Sequence, residues 1–321
     1  MVPHGGCWAL SKHCVCYTTD DGYLLPTLIS ALQARDHVGA KDGVVICHIG
    51  ERGRKAEIVN EACRDAKVEF ISVSAQTIGG RHVMFARMFL DLILPADYDS
   101  VLYVDGDTQV TGSLQPLLDA PLAAGELLAA PDPMVLMLDN RAPEWGRLRS
   151  YFSSIGLSQD RRDLYFNSGV LRFGRNDLGE IRSDCLKLLE IERPPLRFPD
   201  QDILNIACAE RVRQMSFRWN FPIFFLNCGF RAAIEPKLFH FMSNPRPWHG
   251  PLRPWGEEFS AVYARLTAGR PEFAEMLPRL PRWKLAKYWM QQHVKAYVES
   301  ATWNTPAMHE KLRALEARAL V

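Results

Sequence analysis

Apolar runs of strand length alternate with helical segments along the first third of the chain. The helical segments carry apolar residues three and four positions apart, as at Leu24, Leu25, Leu28, Ile29 and Leu32. The pattern predicts strands at 14–18, 44–49, 68–73 and 101–104, and helices around 24–32, 56–66 and 83–94. Strands joined by helices of this length pair in parallel through right-handed crossovers. The sequence therefore predicts a doubly wound, Rossmann-like α/β fold.

The rest of the chain is less regular. No G-x-G-x-x-G fingerprint follows the first predicted strand, which argues against a dinucleotide cofactor. After Asp107 the pattern changes to shorter strands and proline-rich loops, which is typical of segments that contact ligands. From about residue 271 two helices are predicted, at 283–299 and 306–320. We expect one large α/β domain followed by a helical extension.

Composition and charge narrow the possible partners and compartments. The formal net charge of +1 gives no general attraction to nucleic acid, so we expect no such partner and only local phosphate recognition. No stretch approaches the roughly 20 apolar residues that span a bilayer. Residues 1–7 lack the basic flank and apolar core of a signal peptide, so we expect a cytoplasmic protein. The eight scattered cysteines favour reduced, buried thiols over a disulfide set.

Two acidic residues, Asp105 and Asp107, directly follow the apolar run 101–104. In extended chain, residues i and i+2 point to the same side, so both carboxylates can face one cation while Gly106 lets the backbone bend. Ligands of open α/β sheets bind outside the carboxyl ends of such strands. Two oxygen donors without a nearby cysteine suit a hard divalent ion, Mg²⁺ or Mn²⁺, which usually brings phosphate oxygens with it.

Five segments, read in order, carry a family resemblance. They lie at 17–23 (YTTDDGY), 105–107 (DGD), 166–170 (FNSGV), 200–205 (DQDILN) and 240–248 (HFMSNPRPW). Together they resemble the retaining glycosyltransferases of family 8, a group with the GT-A fold that includes glycogenin and bacterial lipopolysaccharide α-galactosyltransferases. The resemblance implies a central, mostly parallel mixed sheet. It also implies a GT-A catalytic domain at 1–270, with a nucleotide-binding half at about 10–110 and an acceptor and sugar half at 111–270, followed by a helical extension at 271–321.

The same resemblance implies an activity and a set of site residues. The activity is metal-dependent, retaining transfer of a hexose from a UDP-sugar to an acceptor hydroxyl on a glycan or a lipid-linked oligosaccharide. Mn²⁺, with Mg²⁺ as the alternative, would be held by Asp105, Asp107 and His240. Residues assigned to the donor nucleotide-sugar are Thr18, Asp20, Tyr23, Arg87, Asp105, Gly106, Asn167, Ser243 and Arg246.

The resemblance also implies individual roles, and the chemistry of these side chains agrees with them. Asp20 would accept from the uracil N–H and Tyr23 would stack on the base, whereas a helix-capping aspartate and a packing tyrosine are the structural alternatives. Arg246 stands where the family has lysine, and its guanidinium can hold a diphosphate oxygen in bidentate geometry. Ser243 stands where glycine is common, so its backbone angle must be one that a residue with a side chain can adopt. Arg87 would hold ribose or sugar hydroxyls together with an acid.

The segment at 200–205 is expected to act on the sugar. The resemblance implies that Asp200 binds sugar hydroxyls and that Gln201 lies beneath the anomeric carbon. Because an amide is a poor nucleophile, we favour front-face attack by the acceptor over double displacement through Gln201, with the metal and Arg246 stabilising the departing phosphate. Asn167 would line the sugar pocket, and Asp132 is a further candidate near the sugar or the acceptor.

Three alternatives remain open from the sequence. A sugar nucleotidyltransferase would also use a doubly wound sheet and a carboxylate-bound metal, but it would carry a glycine-rich signature after the first strand. A non-catalytic UDP-sugar-binding or scaffold protein could share the fold. The predicted helix at 283–299 has Tyr288 and Gln292 on one side and Lys284 and Lys287 on the other, so it could dock on the catalytic domain or lie on an anionic membrane.

Overall fold

The computed structural model describes residues 13–278 and 280–321. Within them, strands form two sheets. The strands, in chain order, are β1 (His13–Thr19), β2 (Gly43–Ile49), β3 (Glu69–Val73), β4 (Ser100–Val104), β5 (Thr108–Val110), β6 (Leu127–Pro131), β7 (Phe166–Gly174), β8 (Val212–Gln214), β9 (Phe221–Pro222) and β10 (Leu238–His240).

The main sheet has seven strands in the order β3-β2-β1-β4-β7-β6-β8. Strand β1 pairs in parallel with β2 and β4, and β2 pairs in parallel with β3. Strand β7 runs antiparallel between β4 and β6, while β8 is parallel to β6. The expected mostly parallel, mixed α/β sheet is therefore confirmed.

Helices cover this sheet and form the end of the chain. They are α1 (Leu24–Asp36), α2 (Arg54–Asp65), α3 (Leu90–Ile93), α4 (Gln115–Leu118), α5 (Pro143–Ser154), α6 (Gln159–Arg162), α7 (Leu178–Glu190), α8 (Pro199–Ala207), α9 (Arg231–Ile234), α10 (Gly256–Gly269), α11 (Arg282–Trp303) and α12 (Pro306–Glu316). The helix predicted at 83–94 is 3₁₀ over Val83–Phe89 and α-helical only in α3. Apolar spacing could not distinguish these two helix types, because both place residues three positions apart on nearly the same face.

The main sheet is buried on both faces. Alternate residues of β1 enter opposite clusters, Val15 and Tyr17 on the side of α1 and α2, and Cys14 and Cys16 on the other side. Every residue of β4 is buried, as the apolar run predicted. The seven cysteines within the described ranges are buried and free of disulfides, which confirms the expectation for them. Cys7 and the whole segment 1–7, on which the localisation was predicted, lie outside the described residues.

A small second sheet brings distant parts of the chain together. Strand β10 pairs antiparallel with β5 and parallel with β9. In this register His240 lies opposite Thr108, the residue after Asp107, and the Phe241 N–H donates to the Asp107 carbonyl at 2.9 Å. Backbone pairing thus carries the histidine from the far end of the domain to the acidic turn after β4.

Helices α11 and α12 pack against the preceding part of the chain. Trp303, Met308 and Leu312 are buried in a cluster with Phe225 and Phe230. This contact favours the interpretation that the inner face of the C-terminal helices docks on the preceding part of the protein. Over residues 13–278 and 280–321, no helix is both long and apolar enough to span a bilayer.

Candidate active site

Asp105, Asp107 and His240 converge at the carboxyl end of β4. The His240 Nε2 atom lies 3.3 Å from Asp107 Oδ1 and 3.7 Å from Asp105 Oδ2. One ligand atom from each residue lies within 4.8 Å of the others, and no other such group of His, Cys, Asp or Glu side chains occurs in the described part of the chain. Two carboxylates and one imidazole form a donor set that suits Mn²⁺ better than Mg²⁺, which prefers oxygen ligands alone.

A buried asparagine orients the histidine of this cluster. The His240 Nδ1 atom lies 2.8 Å from Asn220 Oδ1, and the Asn220 Nδ2–H donates to Asn167 Oδ1 at 2.9 Å. Because Asn220 presents its oxygen to the ring, Nδ1 carries a hydrogen and Nε2 is the nitrogen that faces the carboxylates. Metal-binding histidines are typically oriented in this way. Asn220 was not predicted, since it belongs to none of the five motif segments.

The two carboxylates have different electrostatic environments. Burial raises the pKa of Asp105, and Asp107 adds to this, while Arg87 and His240 oppose the rise. Burial would also raise the pKa of Asp107, but the charges of Arg246 and His240 outweigh it and hold that pKa at about 2. The Asp107 carboxylate is therefore negatively charged, and able to bind a cation, throughout the physiological pH range.

Two glycines allow the close packing of this centre. A Cβ on Gly106 would lie 2.1 Å from Thr27 Oγ1, and a Cβ on Gly169 would lie 2.3 Å from the ring of His240. Neither glycine has a positive φ among the described residues. Gly106 is therefore required because helix α1 approaches the turn closely, rather than because the turn needs a left-handed backbone.

Arg246 borders the acidic cluster and has unused hydrogen-bonding capacity. Its Nη2 atom lies 2.8 Å from Asp107 Oδ2 and 3.3 Å from the Tyr23 hydroxyl, and its guanidinium stands over the Trp248 ring. The Nε and Nη1 atoms are buried without a hydrogen-bond partner in the described structure. Unpaired buried donors are costly, so these two nitrogens are suited to an anionic ligand such as a phosphate.

Tyr23 contacts Arg246 through its hydroxyl and is also partly exposed to solvent. Its ring is 38% exposed and meets Trp248 edge-on at 5.7 Å between centroids. Tyr23 itself, rather than Asp20, is the residue that precedes α1. The Asp20 carboxylate accepts from the Gly22 N–H at 2.9 Å, which is a local turn contact.

Arg87 links the cluster of Asp105, Asp107 and His240 to the residues that were predicted to bind the sugar. It donates to Asp105 Oδ1 at 2.8 Å and to the Ser168 carbonyl at 2.6 Å, and its Nε lies 3.4 Å from Asp200 Oδ2. The Tyr103 hydroxyl also donates to Asp105 Oδ1, at 2.6 Å. All three nitrogens of Arg87 thus contact protein acceptors, so its evident structural effect is to hold Asp105 and Asp200 in place.

The predicted sugar-side residues form one buried hydrogen-bond network at the start of α8. Gln201 Oε1 accepts from Asn167 Nδ2 and from the Ser168 N–H, both at 3.1 Å. Gln201 Nε2 donates to Asp132 Oδ2 at 3.0 Å. Asp200 accepts from the Ser168 hydroxyl at 3.3 Å. Burial raises the pKa of Asp132, although hydrogen bonds from its neighbours oppose the rise.

Thr18 and Ser243 are the remaining residues predicted to bind the donor. The Thr18 hydroxyl lies 3.3 Å from the Tyr103 hydroxyl, so it reaches Asp105 only through that tyrosine. Ser243 lies in the loop after β10 and lines a cavity beside His240. Its φ is not among the positive values of the described residues, so the serine fits the backbone that the resemblance assigns to a glycine.

Comparison with known proteins agrees with this geometry. The family model of Glycosyl transferase family 8 matches residues 14–251. Glycosyltransferase GlyE from Streptococcus pneumoniae serotype 4 is 28% identical over 197 residues, which cover 56% of this chain and 42% of GlyE. The lipopolysaccharide 1,3-galactosyltransferase from Salmonella typhimurium is 26% identical over 177 residues, which cover 50% of this chain and 48% of that enzyme. Each alignment thus spans less than half of the relative's own length.

A solved structure shares the fold. The galactosyltransferase LgtC, in complex with donor and acceptor sugar analogs, superimposes with a TM-score of 0.57 at 22% identity, covering 85% of this chain and 99% of LgtC. The family match extends over most of the sequence and contains the acidic turn, the histidine and the sugar-side network. On this evidence, the chain belongs to glycosyltransferase family 8.

Proposed function

We propose that this protein is a metal-dependent, retaining glycosyltransferase that moves a hexose from a UDP-sugar to an acceptor hydroxyl on a glycan or a lipid-linked oligosaccharide. One observation carries the proposal: Asp105, Asp107 and His240 lie within reach of one cation, directly beside two unpaired nitrogens of Arg246. A metal site next to unpaired arginine donors suits a nucleotide diphosphate. Membership of family 8 supports transfer as the reaction class.

The three residues would hold Mn²⁺, which supplies charge neutralisation at the leaving diphosphate when bound. Arg246 would add two hydrogen bonds to the same phosphates without losing its contact with Asp107. Because His240 is oriented by Asn220, little reorganisation is needed when the ion binds. The half-exposed Tyr23 ring is free to stack on the base.

The environment of Gln201 supports front-face attack. Its carbonyl oxygen already accepts two hydrogen bonds. Because these bonds occupy the oxygen lone pairs, they lower the nucleophilicity of an amide that is already a poor nucleophile. The bond between the anomeric carbon and the diphosphate oxygen would break to give an oxocarbenium-like ion pair. The acceptor hydroxyl would then attack from the leaving-group side and give its proton to the departing diphosphate. Asp200 and Asn167 would orient the sugar hydroxyls, and the Asp132 carboxylate, which Gln201 contacts, would face the developing positive charge.

The experiment that tests the proposal is a donor panel. UDP release is measured with UDP-glucose, UDP-galactose and further UDP-hexoses, with Mn²⁺ or with EDTA. Wild-type protein should release UDP from at least one donor only when the metal is present. Asp107→Asn should lose more than the roughly 10- to 100-fold that follows removal of an outer-shell partner, because it removes a direct ligand. Asp97→Asn, an exposed aspartate away from the cluster, is the matched control.

Two outcomes would redirect the proposal. Metal-dependent UDP binding without any release would support the non-catalytic UDP-sugar-binding alternative. Turnover that Asp107→Asn leaves unchanged would remove the metal from the chemistry.

We also propose that the outward face of α11 touches an anionic membrane from the cytoplasmic side. Gln292 and Ala296 face inward and are buried, whereas Trp283, Met290 and Tyr297 are exposed on the opposite face. Exposed aromatic and apolar side chains with nearby lysines are typical of helices that lie in a bilayer interface. Sedimentation with phosphatidylglycerol vesicles should exceed that with phosphatidylcholine vesicles and should fall in a Trp283→Ser, Tyr297→Ser variant. Equal sedimentation in all cases would contradict this contact.

A further inference from the structure

A cavity of about 170 Å³ lies beside the candidate metal site, between the loop after β10 and helix α11. His240 and Ser243 line one side of it, and Gln292, Lys295 and Glu299 of α11 line the other. The three residues on α11 lie beyond residue 251, where the match to the family ends. The extension therefore adds its own polar groups to the border of the site.

The amide of Gln292 is the least explained polar group in this cavity. Gln292 is only 4% exposed, and none of the hydrogen bonds among residues 13–278 and 280–321 involves its amide. Neither polar atom of the amide is among the fully buried, unpartnered atoms of the described residues, so the amide is open to the cavity and is expected to bond water or a ligand there. The cavity is larger than the space of about 10–15 Å³ that one bridging water requires, so it can hold a larger ligand.

The charges around the cavity favour a neutral ligand over an anionic one. Lys295 Nζ lies 4.0 Å from Glu299 Oε1, and Asn227 donates to Glu299 Oε2 at 2.7 Å. The ammonium and the carboxylate balance each other, and the carboxylate would repel a diphosphate. A hydroxyl group can instead donate to Glu299 and accept from Lys295 or from Gln292. Trp255 supplies an apolar wall for the C–H face of a ring.

We infer that this cavity is a subsite for one sugar residue of the acceptor, and that Gln292, Lys295 and Glu299 select which acceptor is used. The inference rests on the proposed transferase function, and it assigns to the C-terminal extension a role in specificity. The donor phosphates would bind beside Asp107 and Arg246, neither of which lines this cavity.

The test compares UDP release with and without sugar acceptors. UDP release with Mn²⁺ is measured in water alone and with added lactose, methyl β-glucoside or methyl α-galactoside as probes. At least one saccharide should accelerate UDP release by the wild-type protein. Gln292→Met keeps the length of the side chain but cannot hydrogen-bond. It should raise the saccharide concentration needed for half-maximal acceleration about fivefold to tenfold, the loss expected for one or two hydrogen bonds.

The controls separate this subsite from the donor site. Gln291→Met alters an exposed neighbour on the same helix and should leave the acceleration unchanged. Release of UDP in water alone should stay within about twofold of wild type in both variants, since neither side chain hydrogen-bonds to Asp107, His240 or Arg246 within the described residues. Lys295→Met, a change at a more exposed position, provides a second variant if Gln292→Met does not fold.

Several results would overturn the inference. One such result is that a saccharide accelerates UDP release by Gln292→Met as it does for the wild-type protein. Another is that Gln292→Met also loses UDP release in water alone, which would assign the cavity to the donor. Failure of all three saccharides to accelerate release by an otherwise active protein would also contradict it. If wild-type protein releases no UDP from any donor, the proposed function fails instead. Ligand-observed NMR of the same saccharides then tests the cavity alone, and binding that Gln292→Met does not weaken refutes it.

Discussion

Replacing Asn220 by leucine isolates the hydrogen bond that orients His240. The substitution preserves side-chain volume approximately but removes both the acceptor for His240 Nδ1–H and the donor to Asn167 Oδ1. Asn220 is 2% exposed, so water cannot easily replace either partner. The His240 Nδ1–H is left unpaired, at a cost of about 1–3 kcal/mol that the added apolar burial partly offsets, whereas Asn167 Oδ1 keeps its hydrogen bond from the Gly169 N–H. Affinity for Mn²⁺ should fall roughly 10- to 100-fold, as is typical when the partner of a metal-binding histidine is removed.

The assay for this prediction is a Mn²⁺ titration followed by electron paramagnetic resonance, combined with urea unfolding in the absence of metal. Asn220→Asp is the matched variant, because an aspartate still accepts from His240 Nδ1–H but cannot donate to Asn167. It should retain metal affinity near that of wild type while losing some stability. If Asn220→Leu binds Mn²⁺ as tightly as wild type does, the asparagine does not orient the ligand and the reasoning is refuted.

Three further predictions concern packing, pH and thiols. Gly106→Ala should lower stability by about 1–3 kcal/mol, the usual cost of overpacking, because its Cβ would meet Thr27 Oγ1 at 2.1 Å; Gly269→Ala, which meets nothing within 4 Å, is the control, and equal urea midpoints would contradict the clash. Burial and two nearby cations lower the pKa of His249 from 6.5 to about 4, so the unfolded chain binds more protons and stability should fall as the pH drops through that window. Urea melts at pH 7, 5 and 4 should show a smaller loss for His249→Asn, and an equal loss would refute the assignment. Burial raises the pKa of all seven described thiols, so a thiol reagent at pH 8 should react rapidly with no thiol other than that of Cys7 in the native protein and with all eight in denaturant.

The strands were predictable because their signal is local. A run such as 101–104 is apolar at every position, and only a strand buried on both faces accounts for so short a run bounded by polar residues. The position of Asp105 and Asp107 at the carboxyl end of a buried strand followed directly from the prediction of that strand. Tyr103 could have been found in the same way, since it lies two residues before Asp105 and on the same side of the strand.

The convergence of His240 on the acidic turn was not predictable from local pattern. It depends on pairing between β5 and β10, two three-residue strands far apart in the sequence, and strands this short carry almost no periodic signal. Only the family resemblance suggested the contact. Asn220 and Ser168 were missed for a related reason: the partner of a polar residue, whether in an irregular segment like Asn220 or in a strand like Ser168, is evident only once the tertiary structure is formed. The role of Gly106 was also invisible, because the approach of Thr27 is a tertiary contact.

The most direct test of the account is a crystal of the protein grown with Mn²⁺ and UDP, with anomalous diffraction recorded at the manganese edge. We predict a single strong peak among the side chains of Asp105, Asp107 and His240, with the UDP phosphates between that peak and Arg246. A peak at another position, or UDP bound away from this cluster, would contradict the central claim that these residues together hold the metal that binds the donor.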